Sequence, residues 1–334
     1  MSQIKDDKII VENQKTIEEL RSSEYGEIKN SKLELSLIEA LYLLNEDKLS
    51  LKKSKKELLN FATEKEKNFE LKFLVYKDLR ERGLFLKDGG KTSGFYLYGR
   101  GDKPSEDSFS DLVFVITERE TLEISNILNL TQTAKQLRKN PTIALVDGEG
   151  DITYYRLKEF TPSGKVNNEF EEKIEAKISD DRIITWKGSE HFYLNYFFGK
   201  PFLEESYQLN FPEAYYLSKN EAIDLDPSVI RERGRQLDPE FDLKARVYND
   251  LREKGLVPKT GFKFGTHFRV YTRYKGPEKL SHAEYLVQSL TPDTKLSPAT
   301  ISGAVRLAQN VRKKMLFAIA NNEINYLKIR RVKI

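Results

Sequence analysis

The chain contains two related copies of one folding unit, and this duplication constrains its fold more than any other feature. Val75–Lys87 reads VYKDLRERGLFLK and Val247–Lys259 reads VYNDLREKGLVPK, so nine of 13 positions are identical. Upstream, EALYLL from Glu39 is similar to EAYYLS from Glu213. A repeat of about 170 residues is too long for a solenoid period and fits a duplicated domain or pair of small domains. One copy can therefore keep chemistry that the other has lost.

The composition excludes several kinds of functional site. The 334 residues include no cysteine, which excludes disulfides, zinc–thiolate sites and a cysteine nucleophile. With only three histidines, His191, His267 and His282, a histidine-rich metal site is disfavoured. No apolar run could span a membrane and no early segment resembles a signal peptide, which predicts a cytoplasmic protein. The net charge of +4 is compatible with a polyanionic partner.

Helical and strand patterns occur in the same order in both copies. Apolar spacing and strong helix formers predict helices over 32–44 and 53–82, and Gly83 ends the second of them. Short strands and hairpins follow, and the polar stretch from about 161 to 179 is the predicted linker. The pattern predicts a mixed α/β (α+β) fold with small mixed sheets and flanking helices. Each copy is divided into two predicted subdomains, which gives four ranges: 1–65, 66–165, 180–240 and 241–334.

Three residues of the second copy could together carry out acid–base chemistry on RNA. Tyr271 ends the segment GFKFGTHFRVY, His282 follows 11 residues later in LSHAEYLV, and Lys313 follows 31 residues after that in NVRKKM. A tyrosine can accept a proton from a ribose 2′-hydroxyl, a histidine can protonate the leaving 5′-oxygen, and a lysine can neutralise charge at phosphorus. Each residue also has a structural explanation, since alternating strands bury tyrosines and helix C-termini favour lysines. Spacing alone leaves both interpretations open.

These motifs and the block GAVRLAQNVRKKMLFAIA together resemble the archaeal tRNA-splicing endonuclease (tRNA-intron endonuclease) family, and the resemblance covers both copies. In that family a Tyr, a His and a Lys in these motifs form the active site. The resemblance thus implies Tyr271 as general base, His282 as general acid and Lys313 as transition-state stabiliser. It further implies excision of introns from precursor tRNA at bulge-helix-bulge sites, with a 2′,3′-cyclic phosphate and a 5′-hydroxyl as products. No metal or other cofactor is implied, and 66–165 and 241–334 become nuclease-like subdomains.

The first copy has lost one residue of this trio. Tyr98 and Lys139 correspond to the tyrosine and the lysine. The residue aligned with His282 is Phe109 or Ser110, depending on a shift of one residue. Neither side chain can act as a general acid, so the first copy is predicted to be inactive.

The predicted inactive copy carries an acidic turn that the other copy lacks. The turn contains Asp147, Glu149 and Asp151, whereas residues 320–323 of the second copy read ANNE. A solvated hairpin would explain such a turn equally well. The resemblance implies instead that the acidic loop docks onto a basic face of a catalytic unit in another polypeptide. It therefore implies a homodimer with one active site per chain.

Further basic residues are candidates for RNA binding. Arg306 lies seven residues before Lys313, on roughly the same face of a predicted helix, and Arg331 lies in the terminal IRRVKI. Arginines in these motifs of the family grip a flipped-out bulge base by guanidinium stacking, although a shift of one residue would exchange Arg331 for Arg330. Phosphate contact is the alternative role for either arginine. The residues predicted to add phosphate contacts are Lys314 and Arg312.

A different class of function stays open from the sequence. The chain could be a non-catalytic RNA-binding or assembly subunit that partners a separate catalytic chain. The first copy alone fits that interpretation, whereas the complete trio of the second copy favours an enzyme.

Overall fold

The computed structural model describes residues 3–5, 7–89, 94–186 and 188–334. It confirms the mixed α/β class and, apart from one short strand after the second helix of the second copy, the same order of helices and strands in both copies. The predicted first subdomain includes residues 1, 2 and 6, which lie outside the described residues. The elements of the first copy are β1 (Gln3–Lys5), β2 (Lys8–Val11), α1 (Gln14–Ser22), β3 (Glu27–Lys29), β4 (Lys32–Ser36), α2 (Leu37–Asn45), α3 (Lys55–Lys65), α4 (Phe69–Glu81), β5 (Leu86–Asp88), β6 (Phe95–Leu97), β7 (Asp111–Thr117), β8 (Leu122–Glu123), α5 (Ile124–Gln136), β9 (Asn140–Val146) and β10 (Ile152–Phe160).

The second copy begins inside the stretch predicted to be a linker. Ile174–Ser179 forms a strand, so the predicted linker extends only to residue 173. The elements of this copy are β11 (Ile174–Ser179), β12 (Arg182–Thr185), α6 (Glu190–Tyr196), β13 (Lys200–Pro201), β14 (Tyr207–Leu209), α7 (Phe211–Lys219), β15 (Ile223–Asp224), α8 (Pro227–Leu237), α9 (Phe241–Glu253), β16 (Val257–Thr260), β17 (Phe268–Tyr271), β18 (Tyr285–Leu290), β19 (Lys295–Leu296), α10 (Pro298–Asn310), β20 (Lys314–Ala320) and β21 (Ile324–Val332).

Two predicted helices of the first copy have wrong boundaries. The helix predicted over 32–44 begins at Leu37, because 32–36 form β4, in which the alternate residues Leu33 and Leu35 are buried. Ser36 and Glu39 form a capping box that fixes the start of α2. The helix predicted over 53–82 is divided into α3 and α4, because Asn68 adopts a left-handed conformation with φ of 60°.

A ten-stranded sheet crosses the boundary between the copies. Its ten described strands have the order β16-β17-β18-β20-β21-β10-β9-β7-β6-β5. The central strands β10 and β21 come from different copies and pair antiparallel, with Leu157 opposite Ile329. These two residues are equivalent positions of the repeat, at the same spacing along the chain as Val75 and Val247. The two halves of the sheet are therefore related by a pseudo-twofold axis through this pair.

Helices cover the two faces of this sheet differently. Apolar residues of α5 and α10 form one cluster with strand residues of both copies, so the copies share a core on that face. On the opposite face, α4 covers strands of the first copy and α9 covers strands of the second. The middle of this second face is formed by β10 and β21 and carries polar side chains, among them Lys158 and Arg330, which are exposed.

Each copy also has a smaller N-terminal subdomain. In the first, strands of order β1-β2-β4-β3 pack with α1, α2 and α3, and in the second, strands of order β13-β14-β12-β11-β15 pack with α6, α7 and α8. Lys259 of β16 joins the second of these subdomains to the large sheet. Its Nζ contacts the carboxylate of Glu213 on α7 and lies 3.1 Å from the carbonyl oxygens of Phe197 and Gly199. Burial lowers the pKa of Lys259.

None of the helices in the described part of the chain is both long and apolar enough to cross a membrane.

Candidate active site

The segments that carry the predicted trio meet at one edge of the large sheet, the edge formed by the ends of neighbouring strands. Tyr271 ends β17, His282 lies three residues before β18, and Lys313 lies one residue before β20. Because β17 and β18 are antiparallel while β18 and β20 are parallel, the end of β17 lies beside the starts of the other two strands. The ladder continues to this edge through the Glu284 N–H, 2.9 Å from the Val270 oxygen.

Tyr271 lies in an apolar environment. Its side chain is buried, and its ring packs edge-on against Phe197 with the centroids 5.6 Å apart. Val257 and Ala283 belong to the same small cluster. Burial raises the pKa of Tyr271, and the nearby charge of Arg269 opposes this rise. The neutral phenol is therefore the resting form of this side chain near pH 7.

The three histidines have different environments. His191 Nδ1 lies 2.6 Å from the Gly188 oxygen. His267 Nδ1 accepts a hydrogen bond of 3.1 Å from the Ser289 N–H, and burial lowers the pKa of His267. His282 is exposed to solvent. His282 is thus the histidine that a substrate can reach at this edge of the sheet.

A tight turn after α10 positions Lys313. Arg312 has a φ of 55°, and this left-handed residue directs the Lys313 N–H to the Ala308 oxygen at 2.7 Å. The Lys313 Nζ lies 5.6 Å from the centroid of the Phe264 ring. Arg312 and Lys314 are both exposed and lie on either side of Lys313 in the chain.

The strand register separates Arg331 from Arg330. In β21, Ile329 belongs to the apolar cluster beneath α10. Side chains alternate along a strand, so Arg331 lies on this face and Arg330 on the opposite one. Leu316 of β20 pairs with Lys328 of β21. Continuing this antiparallel register by three residues places Lys313 opposite Arg331. Arg306 is exposed on α10, the helix that covers the same face.

The same register corrects the alignment of the first copy. The hydrogen bond from the Ser110 N–H to the Leu97 oxygen, 2.8 Å long, is equivalent to the one from Glu284 to Val270. Ser108 lies two residues before the donor Ser110, and His282 lies two residues before the donor Glu284, so Ser108 occupies the position of His282. The predicted counterparts, Phe109 and Ser110, are therefore wrong by one and two residues. The chain between the two strands is one residue shorter in the first copy, and no local pattern marks where the residue was lost.

The corrected position strengthens the prediction that the first copy is inactive. Lys139 repeats the turn of Lys313, but its Nζ donates a hydrogen bond of 2.7 Å to the Ser108 Oγ. A serine hydroxyl is too weak an acid to give up its proton readily near pH 7, so it is a poor substitute for a histidine.

The first copy also has different residues at the positions of the two arginines. The residues equivalent to Arg306 and Arg331 are Gln132, on α5, and Glu159, on β10. Glu159 forms an ion pair with Lys135. Neither a neutral amide nor a paired carboxylate can stack on a base as a guanidinium does. The sequence itself contains the signal for both changes. The spacing of 174 residues that relates Lys139 to Lys313 also relates Gln132 to Arg306, and the spacing of 172 that relates Val75 to Val247 also relates Glu159 to Arg331.

The acidic turn has one structural residue and two exposed ones. Asp147 Oδ1 accepts the N–H groups of Glu149 and Asp151 at 3.0 and 2.9 Å, so Asp147 shapes the turn. The side chains of Glu149 and Asp151 are exposed. The turn spans five residues between β9 and β10, whereas three residues join β20 to β21. The longer turn makes these carboxylates accessible to another molecule.

A basic cleft lies between the second N-terminal subdomain and strands β16 and β17. Its volume is about 430 Å³. The Nε of Arg269 is buried there without a hydrogen-bond partner among the described residues. Phe262, at the mouth, is 87% exposed. The basic residues that line the cleft are Arg182, Lys200, Lys259, Lys263 and Arg269.

Within the described ranges, no three His, Asp or Glu side chains are grouped so that they could hold a metal ion.

Comparison with known proteins identifies both halves of each copy. The model of the tRNA intron endonuclease catalytic C-terminal domain matches residues 69–154 and 241–326, and the model of the tRNA intron endonuclease N-terminal domain matches 2–63 and 174–236. The tRNA-splicing endonucleases of Methanococcoides burtonii and Methanosarcina mazei are each 36% identical to this chain. The alignments cover 99% of this chain and, respectively, 99% and 98% of the relative. That of Haloferax volcanii is 34% identical over 78% of this chain and 79% of the relative.

Proposed function

Because this chain belongs to the tRNA intron endonuclease family, as the resemblance of its motifs implied, we propose that it excises introns from precursor tRNA by cutting at bulge-helix-bulge sites. The observation that carries this proposal is the convergence of Tyr271, His282 and Lys313 at one sheet edge. The first copy has Ser108 at the histidine position, so each chain supplies one active site.

The proposed reaction is an internal transesterification at phosphorus. Tyr271 accepts the proton of the ribose 2′-hydroxyl, and the 2′-oxygen attacks the adjacent phosphorus. The bond from phosphorus to the 5′-oxygen breaks, and protonated His282 gives its proton to that oxygen. The products are a 2′,3′-cyclic phosphate and a 5′-hydroxyl. Lys313 stabilises the charge that develops at the phosphoryl oxygens.

Lys313 also has an electrostatic role toward Tyr271 in this proposal. Burial raises the pKa of Tyr271 and so opposes the phenolate that a general base requires. In this proposal the Lys313 ammonium favours the phenolate once the phosphate of the substrate brings both side chains to the same phosphorus. We therefore expect the action of Tyr271 as general base to depend on the positive charge of Lys313.

Four arginines and lysines are assigned to RNA binding. Arg306 and Arg331 lie on the face covered by α10, which supports the proposal that they grip a bulge base between their guanidinium planes. Arg330 lies on the other face and is not assigned this role. Arg312 and Lys314 are proposed to contact phosphates.

The test of this function uses the purified chain alone. Incubated with a bulge-helix-bulge RNA and EDTA, it is expected to cut both splice sites and to leave cyclic phosphate ends. Product ends are identified because phosphatase cannot remove the terminal phosphate until acid opens the cyclic phosphate. A chain that is inert until a second polypeptide is added would instead be the non-catalytic subunit considered above. Loss of cleavage in EDTA that magnesium restores would contradict a mechanism carried by side chains alone.

We further propose a homodimer in which the acidic turn of one chain enters the basic cleft of the other. Glu149 and Asp151 are exposed carboxylates, and the cleft offers Lys200, Lys263 and the unpartnered Nε of Arg269. Charge complementarity of this kind specifies partners and orientation.

Neutralising the turn is expected to weaken this dimer. In the variant E149Q/D151N the turn keeps its shape, because Asp147 is retained, but loses two negative charges. We expect the dissociation constant of the dimer to rise at least about tenfold, by analogy with the loss of close interfacial charge pairs. The matched control N321K/N322K adds the same two units of charge to the turn of the second copy. Light scattering would reveal a mass near 38.8 kDa for the first variant and twice that for the control. If the two variants had equal masses, the acidic turn would not be part of the dimer interface.

A further inference from the structure

Four basic side chains surround the pseudo-twofold axis on the open face of the large sheet. Arg156 lies opposite Arg330, and Lys158 lies opposite Lys328, across the junction of β10 and β21. The repeat makes Arg156 equivalent to Lys328 and Lys158 equivalent to Arg330, so the cluster has the symmetry of the sheet. Both copies have therefore placed positive charge at the same two positions.

This arrangement is unfavourable in the isolated chain. Like charges directly opposite each other on neighbouring strands destabilise a sheet. Arg156 is neutralised by an ion pair with Asp111, which also accepts a hydrogen bond of 2.9 Å from the Thr142 hydroxyl. Among the residues that the structure describes, no carboxylate forms an ion pair with Lys158, Lys328 or Arg330. Burial, followed by the charges of Lys158, Lys314 and Arg330, lowers the pKa of Lys328. A bound anion would relieve this repulsion.

The cluster lies between the strand that follows the catalytic Lys313 and the strand that follows its counterpart, Lys139. On one side the next strand is β20, which begins at Lys314, directly after Lys313. On the other side lies β9, which begins directly after Lys139. Three strand spacings, about 14 Å, separate β20 from β9. Lys158, Lys328 and Arg330 also line a groove of about 750 Å³ together with Lys135, Arg138 and Lys139.

We propose that this continuous basic band binds the phosphate backbone of the RNA, so that the inactive copy holds the substrate that the active copy cuts. The band consists of Lys314 at one end, Arg330, Lys328, Lys158 and Arg156 in the middle, and Lys139, Arg138 and Lys135 at the other end. Side chains two residues apart on one strand are separated by about 6.6 Å, a distance comparable with that between successive phosphates. The proposal rests on the proposed function, because it takes precursor tRNA as the ligand.

The shape of the band favours RNA over an acidic protein segment. The band starts at Lys314, the residue directly after the catalytic lysine, and extends across four strands of the sheet. A polyanion with evenly spaced charges can follow this path, whereas a five-residue acidic turn covers only part of it. The basic cleft next to Phe262 is separate and offers that turn its own site.

The test compares two triple variants with equal loss of charge. K139Q/K158Q/K328Q removes three lysines of the band, none of which contacts the reacting atoms. The control K48Q/K52Q/K56Q removes three exposed lysines of the first N-terminal subdomain. Binding of precursor tRNA is measured as a function of salt in the background H282A, and cleavage is measured with His282 intact.

For the band variant we expect the dissociation constant to rise at least about tenfold at 0.15 M salt, and the slope of log affinity against log salt to fall by about two to three. KM is expected to rise while kcat at saturating RNA stays within about twofold. The control should match the unmodified chain. Equal affinity and equal salt slopes for the two triple variants would overturn the band while leaving cleavage by the unmodified chain intact. If the band variant loses its dimeric mass and binds RNA normally, the band is a protein interface. If the unmodified chain neither binds nor cuts precursor tRNA, both proposals fail.

Discussion

Replacing His282 with alanine is expected to lower the rate of RNA cleavage by about 10² to 10⁴-fold, the usual contribution of a general acid. Without the imidazole, the 5′-oxygen must leave as an alkoxide or take its proton from water. Binding should change little, because Arg306, Arg331 and the exposed lysines around the site are retained. Single-turnover cleavage of a bulge-helix-bulge RNA measures the first effect, and filter binding measures the second.

Ser108 provides the matched control for this variant. It occupies the position of His282 in the first copy, so Ser108→Ala truncates the equivalent residue of the site without removing a proton donor. We expect this variant to cut at the rate of the unmodified chain. If His282→Ala cut at a normal rate, or if Ser108→Ala were equally impaired, the division between an active and an inactive copy would be wrong.

Replacing Lys259 with methionine is expected to lower the free energy of unfolding by about 3–5 kcal/mol, the usual cost of removing one partner of a buried ion pair. Lys259 and Glu213 are 5% and 1% exposed, so the substitution leaves a buried carboxylate without its counter-ion. The carbonyls of Phe197 and Gly199 lose a donor as well. Urea unfolding followed by circular dichroism measures the change, provided that the transition is two-state.

The first copy contains the same pair in a more exposed form. Lys87 and Glu39 are equivalent to Lys259 and Glu213, but their side chains are 22% and 9% exposed and their charged atoms are 3.8 Å apart. Because this pair is longer and more exposed, Lys87→Met is expected to cost less than Lys259→Met. The double variant K259M/E213L should recover most of the loss, because it removes both buried charges. If K259M alone unfolded at the same urea concentration as the unmodified chain, the pair would not support the junction between subdomain and sheet.

Local patterns account for the parts of the fold that were predicted correctly. Gly83 follows α4 with a φ of 79°, as expected of a residue that ends a helix. The strand ending at Tyr271 and the helix before Lys313 also follow from periodicity. The prediction for 32–44 was wrong because Leu33 and Leu35 alternate, although they also fit a helical spacing with the residues of α2. The signal that could have located the boundary is Ser36 followed by Glu39.

The loss of His282 in the first copy was predicted, but its replacement was not. A loop that is one residue shorter carries no periodic signal, so the alignment depended on the flanking strands. Backbone hydrogen bonds fix the register of those strands and identify Ser108. The same register distinguishes Arg331 from Arg330, because a shift of one residue moves a side chain to the other face of a sheet.

The sequence by itself determined that the chain is a duplication, that its class is mixed α/β, and that only the second copy carries a complete Tyr–His–Lys set. These properties depend on residue identity and short-range periodicity, which are visible in a linear chain. The tertiary structure alone decided that β10 and β21 join the copies in one sheet and that Lys158 lies opposite Lys328. Pairing between residues about 170 positions apart is set by the register of backbone hydrogen bonds and by a core that both copies share, and neither is encoded in any local pattern.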